Sequence, residues 1–155
     1  DQEFIKRCQN FLYNPGISVY KEGRLAAKNF DIKAMHDPTE GGLACGIAEL
    51  AIASEVGVLI EREKINILPE SQELSKMFDL NPLGTISSGS LLIATEEEDA
   101  PRVIELLEQN SVKAMKIGNF IEKDKGFLIK GKDGQTNSLD YSETDEITKL
   151  YQEIS

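Results

Sequence analysis

Residues 35–58 read "MHDPTEGGLACGIAELAIASEVGV", and how this stretch folds decides the rest. It opens as a short polar turn, His36-Asp37-Pro38-Thr39-Glu40, then passes through Gly41 and Gly42 into a run of small apolar residues. Leu43, Ile47, Leu50, Ala51 and Ser54 recur at helical intervals, which predicts a helix over Gly42–Ser54. Ala44, Gly46, Ala48 and Ala53 allow close packing on its other faces. A helix so poor in charge is expected to be buried on most sides. Gly57 ends it, and Val58–Glu61 reads as a strand. Ile32–Met35, just before the turn, reads as a short strand leading into it.

Outward from this unit, helices and strands mix. Asp1–Leu12 has helical spacing, with Phe4, Ile5, Cys8, Phe11 and Leu12 on one side, and Asn14-Pro15-Gly16 breaks it. Ser18 is placed to cap a second helix running to about Ala27, although Gly23 weakens that helix. Pro69 suits the first turn of a helix reaching Phe78. Ser90–Thr95 and Val112–Phe120 read as strands. Between them Glu97–Asn110 is an amphipathic helix, with Val103, Ile104, Leu106 and Leu107 inward. Gly126–Lys130 is a further strand, and Asp133-Gly134 is a hairpin turn signal. Thr144–Ile154 closes the chain as a helix, with Thr144 as cap and Ile147, Leu150 and Tyr151 inward. The expected class is α+β, helices over a mixed sheet.

Composition narrows the function. With 17 Lys and Arg against 27 Asp and Glu, the net charge is −10. That disfavours nucleic acid and anionic membrane surfaces as partners. Two cysteines, Cys8 and Cys45, with a single histidine make neither a disulfide framework nor a zinc signature, so no metal site is expected. Reduced thiols in a cytoplasmic protein are the default expectation, and the start at Asp1, without Met or a signal peptide, reads as an excised segment with a domain missing upstream.

The turn at 36–42 carries the chemistry. Asp37 or Thr39 can accept a hydrogen bond from the start of the next helix. Gly41 and Gly42 let a ligand approach the backbone, and first-turn N–H groups with the helix dipole favour phosphate or carboxylate. Asp37 can alternatively orient a substrate N–H or a metal ion. Taken bare, the pattern equally describes a strand-to-helix turn with a polar cap, and that plainer account leads. His36 is a candidate acid or base by titration range. Cys45 lies early in the helix, where a thiolate could be stabilised, but a small core residue is the better reading. Ser87-Ser88-Gly89-Ser90 is a second polar loop that can bind an anion or simply turn the chain.

Three segments, "PGISVYKEGRLAA" (15–27), "AMHDPTEGGLACGIAELA" (34–51) and "DLNPLGTISSGSLLIA" (79–94), together with their spacing, resemble the C-terminal domain of the AIR (aminoimidazole ribonucleotide) synthase-related superfamily. The Asp-Pro-Thr-x-Gly-Gly form is most similar to the HypE branch, whose members act in NiFe hydrogenase maturation. The resemblance implies an α/β/α sandwich, partly ferredoxin-like, following a separate ATP-binding N-terminal domain that this chain lacks. Residues 1–17 would then be an N-terminal helix and interdomain connection, and 18–155 the C-terminal domain. It implies ATP and Mg2+ as cofactors of the full-length protein and none for this domain alone, which by itself would be inactive. It implies the missing domain, a second copy of the protein and other maturation proteins as partners.

Residue by residue, the resemblance assigns catalysis to Asp37 and, more weakly, His36. It assigns substrate or phosphate binding to Thr39, Gly41 and Gly42, with Ser88 and Gly89 as weaker matches. One departure stands out. HypE ends in a cysteine that carries a carbamoyl group to be dehydrated, whereas this chain ends Tyr151-Gln152-Glu153-Ile154-Ser155. That leaves a trimmed chain or a relative without carbamoyl chemistry, and the complete-looking last helix favours the relative. The alternative from another class is a non-catalytic binding or assembly module that keeps the fold.

Overall fold

The structure, a computed structural model, describes residues 1–152. Twelve elements carry the fold among the described residues: α1 (Gln2–Asn10), α2 (Tyr20–Asn29), β1 (Ala34–His36), α3 (Gly42–Ala53), β2 (Gly57–Glu61), α4 (Pro69–Met77), β3 (Leu92–Ala94), α5 (Ala100–Gln109), β4 (Gly118–Ile121), β5 (Phe127–Lys130), β6 (Thr136–Ser138) and α6 (Lys149–Gln152). The expected α+β class with a mixed sheet holds. Four strands run in the order β4-β2-β5-β6. β2 is antiparallel to β4 and parallel to β5, and β5 is antiparallel to β6. A separate antiparallel pair, β1 with β3, matches His36 to Leu92.

α3 is the centre of the core. Ala44, Cys45, Ile47, Ala48 and Ala51 on it are all buried. Ala44, Ile47 and Ala51 pack with Val58 and Ile60 of β2 and with Leu83, Leu92 and Leu139. Small side chains let the helix approach the sheet closely, and among its large apolar residues only Ile52 is mostly exposed, at 56%.

Several boundaries differ from the expectation, each for a local reason. The second helix starts at Tyr20, although the Ser18 hydroxyl still accepts from the Tyr20 N–H at 3.5 Å. The strand expected at Ile32–Met35 is Ala34–His36, where the ladder with β3 lies, and β3 itself is shorter than Ser90–Thr95. The helix expected from Glu97 begins at Ala100, because Asp99 and Ala100 first turn back onto the Glu96 carbonyl. The strand expected at Val112–Phe120 begins only at Gly118. Ser111 takes a left-handed φ of 63°, and the Val112 N–H closes the end of α5 by donating to the Leu107 carbonyl.

At the two ends fewer of the expected inward residues are buried. In α1, Phe4 is buried, but Ile5, and Leu12 just beyond the helix, are more than half exposed. Asp145, not Thr144, caps the last helical segment by accepting from the Ile147 N–H, and Ile147 and Tyr151 face solvent. Ile154 lies outside the described residues. The Asp133-Gly134 turn does join β5 to β6, with Gly134 at φ 78°.

Candidate functional site

β1 delivers the chain to the Asp37 turn, and two glycines then reverse it into α3. Gly41 sits at φ 73° and Gly42 at φ 67°, a left-handed pair that other residues adopt only with strain. Their backbone groups are taken up by the protein itself. The Gly41 N–H donates to the buried Asp145 carboxylate at 3.0 Å. The Gly42 N–H donates to the Thr39 carbonyl at 3.0 Å, and that of Ala44 to the Leu83 carbonyl at 2.8 Å. A Cβ on Gly42 would lie 2.5 Å from the Leu83 oxygen and 2.6 Å from that of Thr85. A Cβ on Gly41 would run into the Ser142 carbonyl. In this chain the room beside both glycines is filled by backbone.

The side chains of the same turn behave otherwise. Asp37, Thr39, Ser88 and Gly89 line one cleft of about 180 Å³, with Ile17 and Val19 on its walls. The two loops that form it are tied together. The Ser87 hydroxyl donates to the Pro38 carbonyl at 3.2 Å, and the Ser87 N–H donates to the Thr39 carbonyl at 3.4 Å. Pro38, beneath them, is fully buried. Asp37, Thr39 and Ser88 are exposed. The Glu40 carboxyl is held below the ordinary carboxylate range, first by its own backbone N–H and then by the Thr39 hydroxyl.

A second, larger cleft of about 360 Å³ adjoins the first and shares Asp37 with it. His36, Arg24 and Tyr20 contribute its polar groups, and Met35 and Leu91 its apolar wall. His36 Nε2 is 2.7 Å from Glu49 Oε2, so α3 holds the imidazole in place. Cys45 is buried on the other side of that helix start. Burial first, then the negative charges of Glu49 and Glu143, push its thiol up, the opposite of an activated nucleophile. Both cysteines are free.

The structure therefore gathers five of the seven candidate residues, His36, Asp37, Thr39, Ser88 and Gly89, around two adjoining clefts. It sets Gly41 and Gly42 behind them, in the packing. Two residues escaped the sequence. Arg24 lies within a helical pattern, and nothing local marks it as sharing a cleft with Asp37. Asp145 has a local signal, since an aspartate two residues before Ile147 can cap a turn, but its reach of 104 residues to Gly41 has none. Among the described residues no group of three metal-ligating side chains occurs, and no helix is long and apolar enough to cross a membrane.

Comparison with known proteins bears on this geometry. The family model of the AIR synthase-related protein C-terminal domain matches residues 18–131. A hydrogenase expression/formation protein of Methanocaldococcus jannaschii is 35% identical over 108 residues, covering 68% of this chain and 32% of its own length. The carbamoyl dehydratase HypE of Rhizobium leguminosarum is 31% identical over 106 residues, covering 67% of this chain and 30% of its own. The crystal structure of Escherichia coli HypE superposes with a TM-score of 0.72 at 26% identity, over 79% of this chain and 39% of that one. The same fold recurs in a HypE solved in complex with ATP, with a TM-score of 0.66 at 22% identity, over 72% of this chain and 36% of that one. The chain spans about a third of the length of these curated relatives. It belongs to the AIR synthase-related family and has that family's C-terminal domain, in a HypE-like form.

Proposed function

We propose that this chain is the C-terminal domain of an ATP-dependent, HypE-like protein of the cytoplasm that serves NiFe hydrogenase maturation. The observation that carries the reading is the convergence of Asp37, Thr39, Ser88 and Gly89 on one cleft. Asp37 is a carboxylate with no side-chain partner among the described residues, free to orient a substrate N–H or join a magnesium shell. Ser88 offers its hydroxyl to a phosphate, and Thr39 does so by releasing the Glu40 carboxylate that its hydroxyl otherwise holds. Gly41 and Gly42 serve the site by turning the chain so that these side chains face the cleft, at the start of α3 where the helix dipole favours negative charge. His36, steadied by Glu49, is the nearby acid or base.

One carboxylate and two hydroxyls can complete a Mg-ATP site but not constitute one. The rest of that site is assigned to a preceding ATP-binding domain, and this 155-residue chain alone is expected to be inactive. ATP supplies the activation of a substrate oxygen when bound. Residues 1–17 form the link to that domain, residues 18–155 the domain itself, and a homodimer and other maturation proteins are the expected partners.

A second reading, an assembly module without catalysis, is favoured by one observation. The N–H groups of Gly41, Gly42 and Ala44 are all satisfied internally, which removes donors an anion would use. Calorimetric titration of Mg-ATP into the natural protein that carries this domain separates the two, with the 155-residue chain as control. Binding by the natural protein, and turnover that Asp37→Ala lowers by about 100-fold or more, supports the enzyme. No binding by either favours the module, and wild-type turnover in the variant removes Asp37 from the site.

A further inference from the structure

The larger cleft has two features that neither the packing of α2 nor ATP chemistry requires. Gly23 sits inside α2, where glycine weakens a helix relative to alanine. A Cβ there would meet only Met35 Sδ at 3.5 Å and Leu91 Cδ2 at 3.7 Å, both ordinary contact distances. Nothing in the fold forces the glycine. A methyl at this position would instead stand in the cleft that Met35 and Leu91 line. Its neighbour Arg24 lines the same cleft. The guanidinium donates to the Tyr20 hydroxyl at 2.7 Å and lies 5.7 Å from the centre of that ring. It has no carboxylate partner among the described residues, in a chain with 27 acidic and 17 basic side chains. His36, the other basic group there, is already paired with Glu49.

A guanidinium oriented by a tyrosine and left without a counter-ion suits an oxyanion, which it can grip through two N–H groups. The apolar wall of Met35 and Leu91 suits a hydrocarbon stem behind that charge. We propose that the cleft between α2 and β1 binds a small organic anion, a carboxylate or phosphate monoester on a short apolar stem. Arg24 holds the charge, and Gly23 leaves room for the stem. Asp37 borders this cleft and the polar one alike, so the bound anion lies beside the cleft of the proposed reaction, and its binding does not rest on that reading.

The test uses the natural protein labelled with 13C at methionine methyls, the Met35 signal being assigned with Met35→Leu. Met77 and Met115 lie outside the cleft lining and serve as controls. Butyrate and n-butyl phosphate are titrated separately, with n-butylamine as the cationic counterpart. A saturable Met35 shift with butyrate alone assigns a carboxylate, with butyl phosphate alone a phosphate ester, and with both a general anion subsite. Arg24→Gln should weaken that binding at least tenfold and Arg24→Lys less. Gly23→Ala should weaken it at least threefold while raising the thermal midpoint, so its loss of binding cannot be unfolding. No Met35 shift with either anion, an equal shift with n-butylamine, or unchanged affinity in Arg24→Gln or Gly23→Ala would overturn the proposal. A parallel Mg-ATP titration keeps the two ideas apart. Anion binding without Mg-ATP binding sinks the ATP reading alone, and Mg-ATP binding without anion binding sinks the subsite alone.

Discussion

Asp37 and Thr39 stand open on a cleft, while Gly41 and Gly42, two residues further on, are sealed against backbone. One six-residue turn thus holds two regions with different duties. The glycines are there because Leu83, Thr85 and Ser142 leave no room for a Cβ and because φ is positive at both. The polar side chains are there for what they present outward. The difference teaches that a glycine-rich turn beside a candidate site need not lend its own N–H groups to the ligand. It can act one step back, by setting where its neighbours point.

The comparison breaks or sharpens on stability measurements. The largest effect is expected at Gly42→Ala, which combines a strained φ with a clash against two carbonyls. A loss of about 3 kcal/mol or more is expected in urea unfolding. A loss below about 1 kcal/mol would mean that the backbone around Gly42 yields and the two regions are not distinct. Asp145→Ala comes next, at about 2 kcal/mol, since it leaves the Gly41 N–H buried without an acceptor and removes a cap from Ile147. Asp145→Asn should cost less, because the amide oxygen can still accept.

A smaller, pH-dependent effect belongs to Glu146, which fastens the loop that seals Gly42. Its carboxylate accepts from the Asn81 N–H at 2.9 Å and then from Lys149 at 2.7 Å, which holds it below the ordinary carboxylate range. A lowered folded-state pKa stabilises the protein above the unfolded value, and that stability is lost as pH falls through the folded one. Acid titration of unfolding should therefore show a limb below about pH 4 that Glu146→Gln flattens by no more than about 1 kcal/mol, the group being partly screened by solvent. The smallest stability change is expected at Asp37→Ala, within about 0.5 kcal/mol in the same urea assay. A larger loss would place Asp37 with the sealed region.

Much of this was legible because α3 is locally consistent. Its small residues, its apolar faces and its glycine start all specify one buried helix, and the structure places it over Gly42–Ala53. The side chains that meet in the clefts were legible as types at a turn, and as matches to a family motif. Strand β4 was not, since Val112–Ile117 is as apolar as a strand while the left-handed Ser111 is still closing α5. Arg24 was not, because its own partner Tyr20 is local and the cleft it lines forms only where Met35, Asp37 and Leu91 fold against α2. Asp145 was not, because no spacing within "SETDE" reports a partner 104 residues away.

The bond from Gly41 to Asp145 also has a meaning in time. The two residues are 104 apart, and a ribosome adds only about 5–20 residues each second. For several seconds of synthesis the start of α3 exists without the carboxylate that completes it. The N–H at the start of the central helix therefore gains its acceptor only once nearly the whole described chain has emerged.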